Sequence, residues 1–223
     1  MDYLKQERLN SADLIQNAAN RVPVCLCVDA SYSMLQDRRM DHVNNGIRNF
    51  LRNSADDAYV CDSIDVCLLT FSGAGVQVVH PFTNVQKLKG QFRDIVPSGG
   101  TPMGEAVRTA VELITRQRDS YEVYGITSYR PWLILMSDGA SDDSVTEIAR
   151  QVRELQQNHL LKVKCIGMGS GEERSDLTAF SLDGRVESCG ALEIERFFDF
   201  LSRSAAGLSS AMPGEEDQYD IDV

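Results

Sequence analysis

Basic charge is in short supply in this sequence. Lys and Arg number 22 against 33 Asp and Glu, a formal net charge of −11 over 223 residues. A nucleic-acid binder needs a basic face to displace counterions from phosphates, so that class is excluded, as is docking on an anionic membrane surface. No apolar run approaches the length of a bilayer-spanning helix. The opening segment, MDYLKQERLN, is charged and has no apolar core, so no signal peptide is expected. No CxxC pair exists to hold zinc. The six cysteines are Cys25, Cys27, Cys61, Cys67, Cys165 and Cys189, and four of them fall inside apolar, strand-like runs. That placement points to buried free thiols in a reducing compartment, hence a cytoplasmic location. Lys and Arg are missing altogether after Arg203, where Glu215, Glu216, Asp217, Asp220 and Asp222 make an acidic end expected to be solvated.

What the chain does have is ordinary globular material, 43% apolar and 25% charged residues, in a length that suits one large domain. Four short apolar runs stand out: VPVCLCV (22–28), DVCLLTF (65–71), PWLILMS (131–137) and VKCIGMG (163–169). They are continuous rather than alternating, as in strands buried on both faces of a parallel sheet. GVQVVHPF (75–82) reads as one more strand, an antiparallel edge ended by Pro81. Helical spacing relates Val43, Ile47, Phe50 and Leu51; Ala106, Ala110, Leu113 and Ile114; Ile148, Val152 and Leu155; and Ile194, Phe197, Phe198, Leu201, Ala205 and Leu208. Ser144 and Glu147 have the spacing of a capping box ahead of the third stripe. Residues 117–130 read as the longest loop. The expected fold is α/β: an open, mostly parallel sheet with one antiparallel edge strand and helices on both faces. The expected organisation is an N-terminal extension over 1–20, with a helix packed on the domain, the domain over 21–208, and an acidic tail over 209–223.

In such sheets ligands bind beyond the carboxyl ends of the strands. Asp29-Ala-Ser31-Tyr32-Ser33 leaves the first strand, and Ser137-Asp138-Gly139 leaves the strand PWLILM. Between them, PSGGTPMGEAV (97–107) carries Thr101 just before a helix start. Each segment alone is explained by turn and cap chemistry, Thr101 included as a helix cap. Together they converge on one sheet edge. Asp29, Ser31, Ser33, Thr101 and Asp138 offer two carboxylates and three hydroxyls. Oxygen-only sets suit hard divalent cations: Mg²⁺ is the expected ion, with Mn²⁺ and Ca²⁺ as alternatives. The histidines, His42, His80 and His159, lie elsewhere in the chain. Two aspartates only balance a divalent ion, so the ion keeps room for one more anionic ligand. The gross attraction between a dication and a carboxylate at about 4 Å and an effective dielectric near 20 is ~8 kcal/mol. Desolvation and ordering leave a net few kcal/mol, enough to make partner binding metal-dependent.

The five residues resemble the metal-ion-dependent adhesion site of von Willebrand factor A domains, whose pattern is D-x-S-x-S, a distant T, and a D often followed by G. Within that family, GGTPMGEAV, YRPWLILMSDG and FFDFLSRSAAGLSSAMPGE are similar to the bacterial tellurium-resistance, TerY-like branch, from about Val22 to Gly214. The resemblance implies a Rossmann-like fold, a divalent metal and protein–protein binding. It implies direct coordination by Ser31 and Ser33, direct coordination by Thr101 in some states, and action of Asp29 and Asp138 through water. It also implies a cytoplasmic stress-response setting, with a kinase or phosphatase encoded nearby as a partner presenting an Asp or Glu carboxylate. Tyr32 stands where many members carry Gly, and it is a candidate partner contact together with Gly100 and Gly139. A Gly-only backbone angle at that position would distort the loop.

The competing reading is a metal-dependent phosphatase or phosphotransfer enzyme using Asp29. Phosphatases of the haloacid dehalogenase type want a second Asp where Ser31 stands. There is no P-loop, no G-x-S-x-G elbow and no His placed to activate Ser31 or Ser33. A degenerate domain without metal is the third reading, and the intact five-residue set argues against it. The sequence therefore points to a non-catalytic binding module.

Overall fold

Val22–Asp29 forms the first strand, β1, and every one of its eight residues is buried. The structure, a computed structural model, describes residues 13–168, apart from 18 and 59, and 175–209. A 3₁₀ segment, Tyr32–Arg38, leads from β1 into α1 (Arg39–Asp56). There follow β2 (Ile64–Ser72), β3 (Gly75–Asn84), the short α2 (Val85–Leu88) and the long α3 (Met103–Val123). Then come β4 (Trp132–Ser137), α4 (Thr146–Gln157), β5 (Lys162–Gly167), α5 (Ser175–Phe180), β6 (Glu187–Ser188) and α6 (Ala191–Ser209). Among the described residues six strands make one sheet in the order β3-β2-β1-β4-β5-β6, with only β3 antiparallel to its neighbour. The fold is thus the Rossmann-like α/β sheet with one antiparallel edge.

Alternation along β1 divides the core. Val22, Val24, Leu26 and Val28 face α1 and α6, where Phe50, Phe197 and Phe198 meet. Cys25 and Cys27 face α3 and α4 with Ala106, Ala110, Ile148 and Val152. Burial on both faces is why these strands read as unbroken apolar runs. The helical stripes are core-facing as expected, although Leu155 is only partly buried and the side chain of Leu208 lies outside the described residues. All six cysteines are free thiols and five are buried.

Several boundaries differ from the sequence reading. β3 does not stop at Pro81 but runs on to Asn84, because it is an edge strand whose pairing with β2 shifts register twice near Leu68. A bulged edge tolerates the missing N–H of proline. The segment 117–130 is not one long loop: α3 continues to Val123, held by the buried Tyr121. α4 begins at Thr146 with no side-chain cap bond, so the Ser144–Glu147 capping box does not form. The short α2, α5 and β6 carry too few apolar positions to show a period. Of the expected N-terminal helix, residues 13–16 form a helical turn. Residues 1–12, and the acidic tail from 210 on, lie outside the described residues.

The amino ends of the strands are closed by a buried polar cluster. Arg21, fully buried, reaches Asp65 Oδ1 at 3.2 Å, the Asp62 carbonyl at 2.8 Å, the Asn17 carbonyl at 3.0 Å and Asp13 Oδ2 at 3.4 Å. The Tyr121 hydroxyl donates to Asp65 Oδ2 at 2.7 Å. These bonds tie the segment before β1 and the end of α3 to β2. Removing one partner of such a buried ion pair strands the other charge. Arg21→Ala is expected to lower the unfolding free energy by about 3–5 kcal/mol, read from the urea midpoint; a loss below about 1 kcal/mol would contradict the clamp.

Candidate metal centre

Strand order reverses between β1 and β4, so the loops leaving these two strands go to opposite faces and open a crevice at their carboxyl ends. Asp29 is the last residue of β1, and Ser137 is the last of β4 with Asp138 next to it. Asp29 is fully buried. Its Oδ1 accepts the Ser31 N–H at 2.8 Å and its Oδ2 accepts the Ser137 hydroxyl at 2.5 Å. The first bond is ordinary turn chemistry; the second joins β1 to β4. The Ser31 and Ser33 hydroxyls are 2.8 Å apart, and Ser33 donates to Asp138 Oδ1 at 2.7 Å. Since Ser33 gives its proton to the carboxylate, Ser31 donates to Ser33, and lone pairs on both oxygens remain available. The structure therefore brings Asp29, Ser31, Ser33 and Asp138 into one connected set.

Thr101 arrives by a different route. The Ser98 N–H donates to the Ala30 carbonyl at 2.7 Å and the Tyr32 N–H to the Gly99 carbonyl at 3.1 Å, so its loop is stitched to the one after β1. The Thr101 N–H then meets the Asp142 carboxylate at 2.5 Å, and its carbonyl accepts the Asp142 N–H at 2.9 Å, which binds it to the loop after β4. Backbone bonds, not its hydroxyl, tie it to both loops. Nor does that hydroxyl cap α3. The N–H groups of Gly104 and Glu105 donate instead to the two Asp143 oxygens, each at 2.8 Å. The same loop also lies against the turn between β2 and β3, and that close approach depends on glycine: Gly99 has φ +61°, and a Cβ there would lie 2.6 Å from Gly73 Cα.

The donor set fits a hard dication. Among the described residues no three His, Cys, Asp or Glu side chains gather as a metal cage. The crevice offers two carboxylates with hydroxyl oxygens, a set of low charge. Burial raises the Asp29 carboxyl to about 6, helped by the negative charge of Asp138 and opposed by the bonds from Ser137 and Ser31. An ionised Asp29 is thus costly here unless a cation answers it.

The profile of the von Willebrand factor type A domain matches residues 24–140 of the sequence. The chain belongs to this family. Among curated proteins, none matches it in sequence. Solved structures similar to this von Willebrand factor A domain include the vWF domain of the type V pili tip protein Mfa5 from Porphyromonas gingivalis. That pair shares 11% identity at a TM-score of 0.64, over 87% of this chain and 98% of the other. The pilus adhesin SpaC from Lactobacillus rhamnosus GG gives 16% identity and a TM-score of 0.63, over 84% of this chain and 31% of the adhesin. Proximal thread matrix protein 1 from the mussel byssus, in a structure with a zinc-occupied MIDAS motif, gives 15% identity and a TM-score of 0.60, over 85% of this chain. This chain spans 47% of the length of that mussel protein. At these identities the likeness establishes the fold alone.

Within this A domain, Tyr32 is 63% exposed and does not have a positive φ, so its ring needs no glycine-like backbone. A Cβ at Gly100 would meet Asp142 Oδ2 at 2.2 Å, which gives this glycine a packing reason of its own, whereas Gly139 faces open space. Four residues escape the motif. Ser137 and Asp142 hold the donors in place, Asp143 takes over the cap, and Arg39 pairs with Asp138 at 2.6 Å. Ser137 was visible as the residue before Asp138, and the Asp142-Asp143 pair as a run just after it. Nothing in the sequence links Arg39 to Asp138, which lies 99 positions away.

A pH dependence follows from Asp29. Its folded value of about 6 lies above the unfolded value near 4, so its contribution to stability is full below about pH 4 and lost as pH rises through 6. The loss is on the order of 2–3 kcal/mol. With chelator present, Asp29→Asn is expected to gain stability relative to the parent chain by that amount between pH 4 and 7.5, measured by urea unfolding. Parallel pH curves for the two proteins would contradict it.

Proposed function

We propose that this A domain is a non-catalytic, metal-dependent interaction module. A divalent cation, Mg²⁺ first, sits among Asp29, Ser31, Ser33, Thr101 and Asp138 and receives an Asp or Glu carboxylate from a protein partner. The observation that carries the proposal is the connected Asp29–Ser31–Ser33–Asp138 set at the reversal of strand order. A bound ion would supply an electrophilic centre; the protein's part is to hold two carboxylates and the hydroxyl lone pairs around it and to leave one side open. The zinc-occupied motif of the mussel structure supports a divalent ion at the equivalent place. Exposed Tyr32 beside the centre would contact the partner. The TerY-like sequence features support a cytoplasmic, bacterial stress or tellurium-resistance setting with a kinase or phosphatase as partner, and six free thiols agree with a reducing compartment.

No histidine stands among the five residues to activate Ser31 or Ser33. His42 lies 3.4 Å from Glu195, His159 lies 3.2 Å from Arg130, and His80 is on the edge strand β3. In calorimetric titration, Mg²⁺ and Mn²⁺ are expected to bind at micromolar to millimolar strength, and Asp29→Ala to abolish the heat. Retention of partner protein on the immobilised chain should be lost with chelator. Equal heats from parent and variant would refute the site, and phosphatase turnover that Asp29→Ala abolishes would refute the non-catalytic reading.

A further inference from the structure

Arg39 brings a fixed positive charge into the candidate centre. Its Nη1 lies 2.6 Å from Asp138 Oδ2, with the two side chains 16% and 1% exposed. Its Nη2 is 3.5 Å from Asp37, which is 82% exposed, so the contact to Asp138 is the one shielded from water. The chain bends just before Arg39. Asp37 and Arg38 have φ of 50° and 57°, two consecutive left-handed residues that are not glycine. L residues adopt that conformation at an energetic cost, and such strain gathers at functional sites. It ends the 3₁₀ segment and starts α1 at Arg39, within reach of the loop after β4. Arg39 holds the outer oxygen of Asp138, while Oδ1 accepts from Ser33.

The charge arithmetic changes with this residue. Asp29 and Asp138 alone sum to −2, and a dication would bring the centre to neutrality. With Arg39 the metal-free set is −1 and the loaded set is +1. A loaded centre with surplus positive charge attracts an anion more strongly than a neutral one, and a less negative empty centre attracts a cation less strongly. Arginine keeps this charge at every physiological pH.

We propose that Arg39 is a specificity-determining residue of this centre: it weakens the binding of the divalent cation and strengthens the binding of a carboxylate once the cation is present. The inference rests on the metal-dependent reading above. It sets the two affinities in opposite directions, which loss of a merely structural contact would not do. A structural role lowers both, through misplacement of Asp138, or neither.

The test is titration of the full chain at pH 7.5 and low salt. Mg²⁺ alone is titrated into the parent protein, Arg39→Gln and Arg39→Lys; sodium acetate is then titrated into each Mg²⁺-saturated protein. Arg39→Gln is expected to bind Mg²⁺ about tenfold more tightly, or about 1.4 kcal/mol, and acetate about tenfold more weakly. Arg39→Lys, which keeps the charge, should return both constants toward those of the parent. Thermal melting in chelator checks folding, and Arg39→Met, which keeps an unbranched stem, serves as the neutral variant if Arg39→Gln melts below the assay temperature. Mg²⁺ affinity that is unchanged or weaker in the neutral variant, or unchanged acetate affinity, overturns the role of Arg39 while leaving the metal site standing. No metal heat from the parent protein overturns the metal-dependent reading and this inference with it.

Discussion

Two carboxylates held out of water at the ends of adjacent strands govern the upper half of this molecule. Asp29 and Asp138 must each be answered by donors or cations, because an uncompensated buried charge is among the most costly features a fold can carry. Ser137, the Ser31 amide, Ser33 and Arg39 are those answers. Ser31 and Ser33 come from the loop after β1, Arg39 from the start of α1 and Ser137 from the end of β4, so satisfying the two acids fixes how the loops after β1 and β4 lie against one another. The loop that carries Thr101 is then locked between them through backbone bonds, and the Gly73–Gly99 contact seats it on the turn between β2 and β3.

The two ends of the sheet solve the same electrostatic problem in opposite ways. At the amino ends, Asp65 is met by Arg21 and the Tyr121 hydroxyl and sealed from solvent, which gives a closed structural clamp. At the carboxyl ends, compensation is partial: one guanidinium for two carboxylates, with hydroxyl lone pairs left over. A surplus of negative charge and oxygen donors is what a hard cation requires. The difference lies in topology. Strand order reverses between β1 and β4, so their carboxyl ends open a crevice, whereas the amino ends are covered by the segment before β1 and the end of α3.

The sequence was legible wherever a local pattern had a single physical cause. Continuous apolar runs announced strands buried on both faces, and β1, β2, β4 and β5 fall on them to within a few residues. It was misleading where tertiary contacts override local preference. Pro81 stops a central strand but not a bulged edge strand. The polar stretch after Ile114 looks like a loop until Tyr121 is seen to be anchored on Asp65. Ser144 and Glu147 have the spacing of a cap, yet the helix cap in that loop is Asp143, and the helix it serves is the one beginning at Met103. Capping across 39 positions has no local signature.

The amino-acid sequence by itself determined the fold class, the sheet edge where a ligand would sit, and the oxygen-only chemistry of that edge. Each of these follows from residue type and short spacing. Tertiary structure alone decided how the donors share their hydrogen bonds and that both aspartates are shielded from water. It also decided that Arg39, not a third acid or a histidine, joins the centre. Those features depend on which distant side chains meet in a medium of low dielectric, and distance in space is not written in local periodicity.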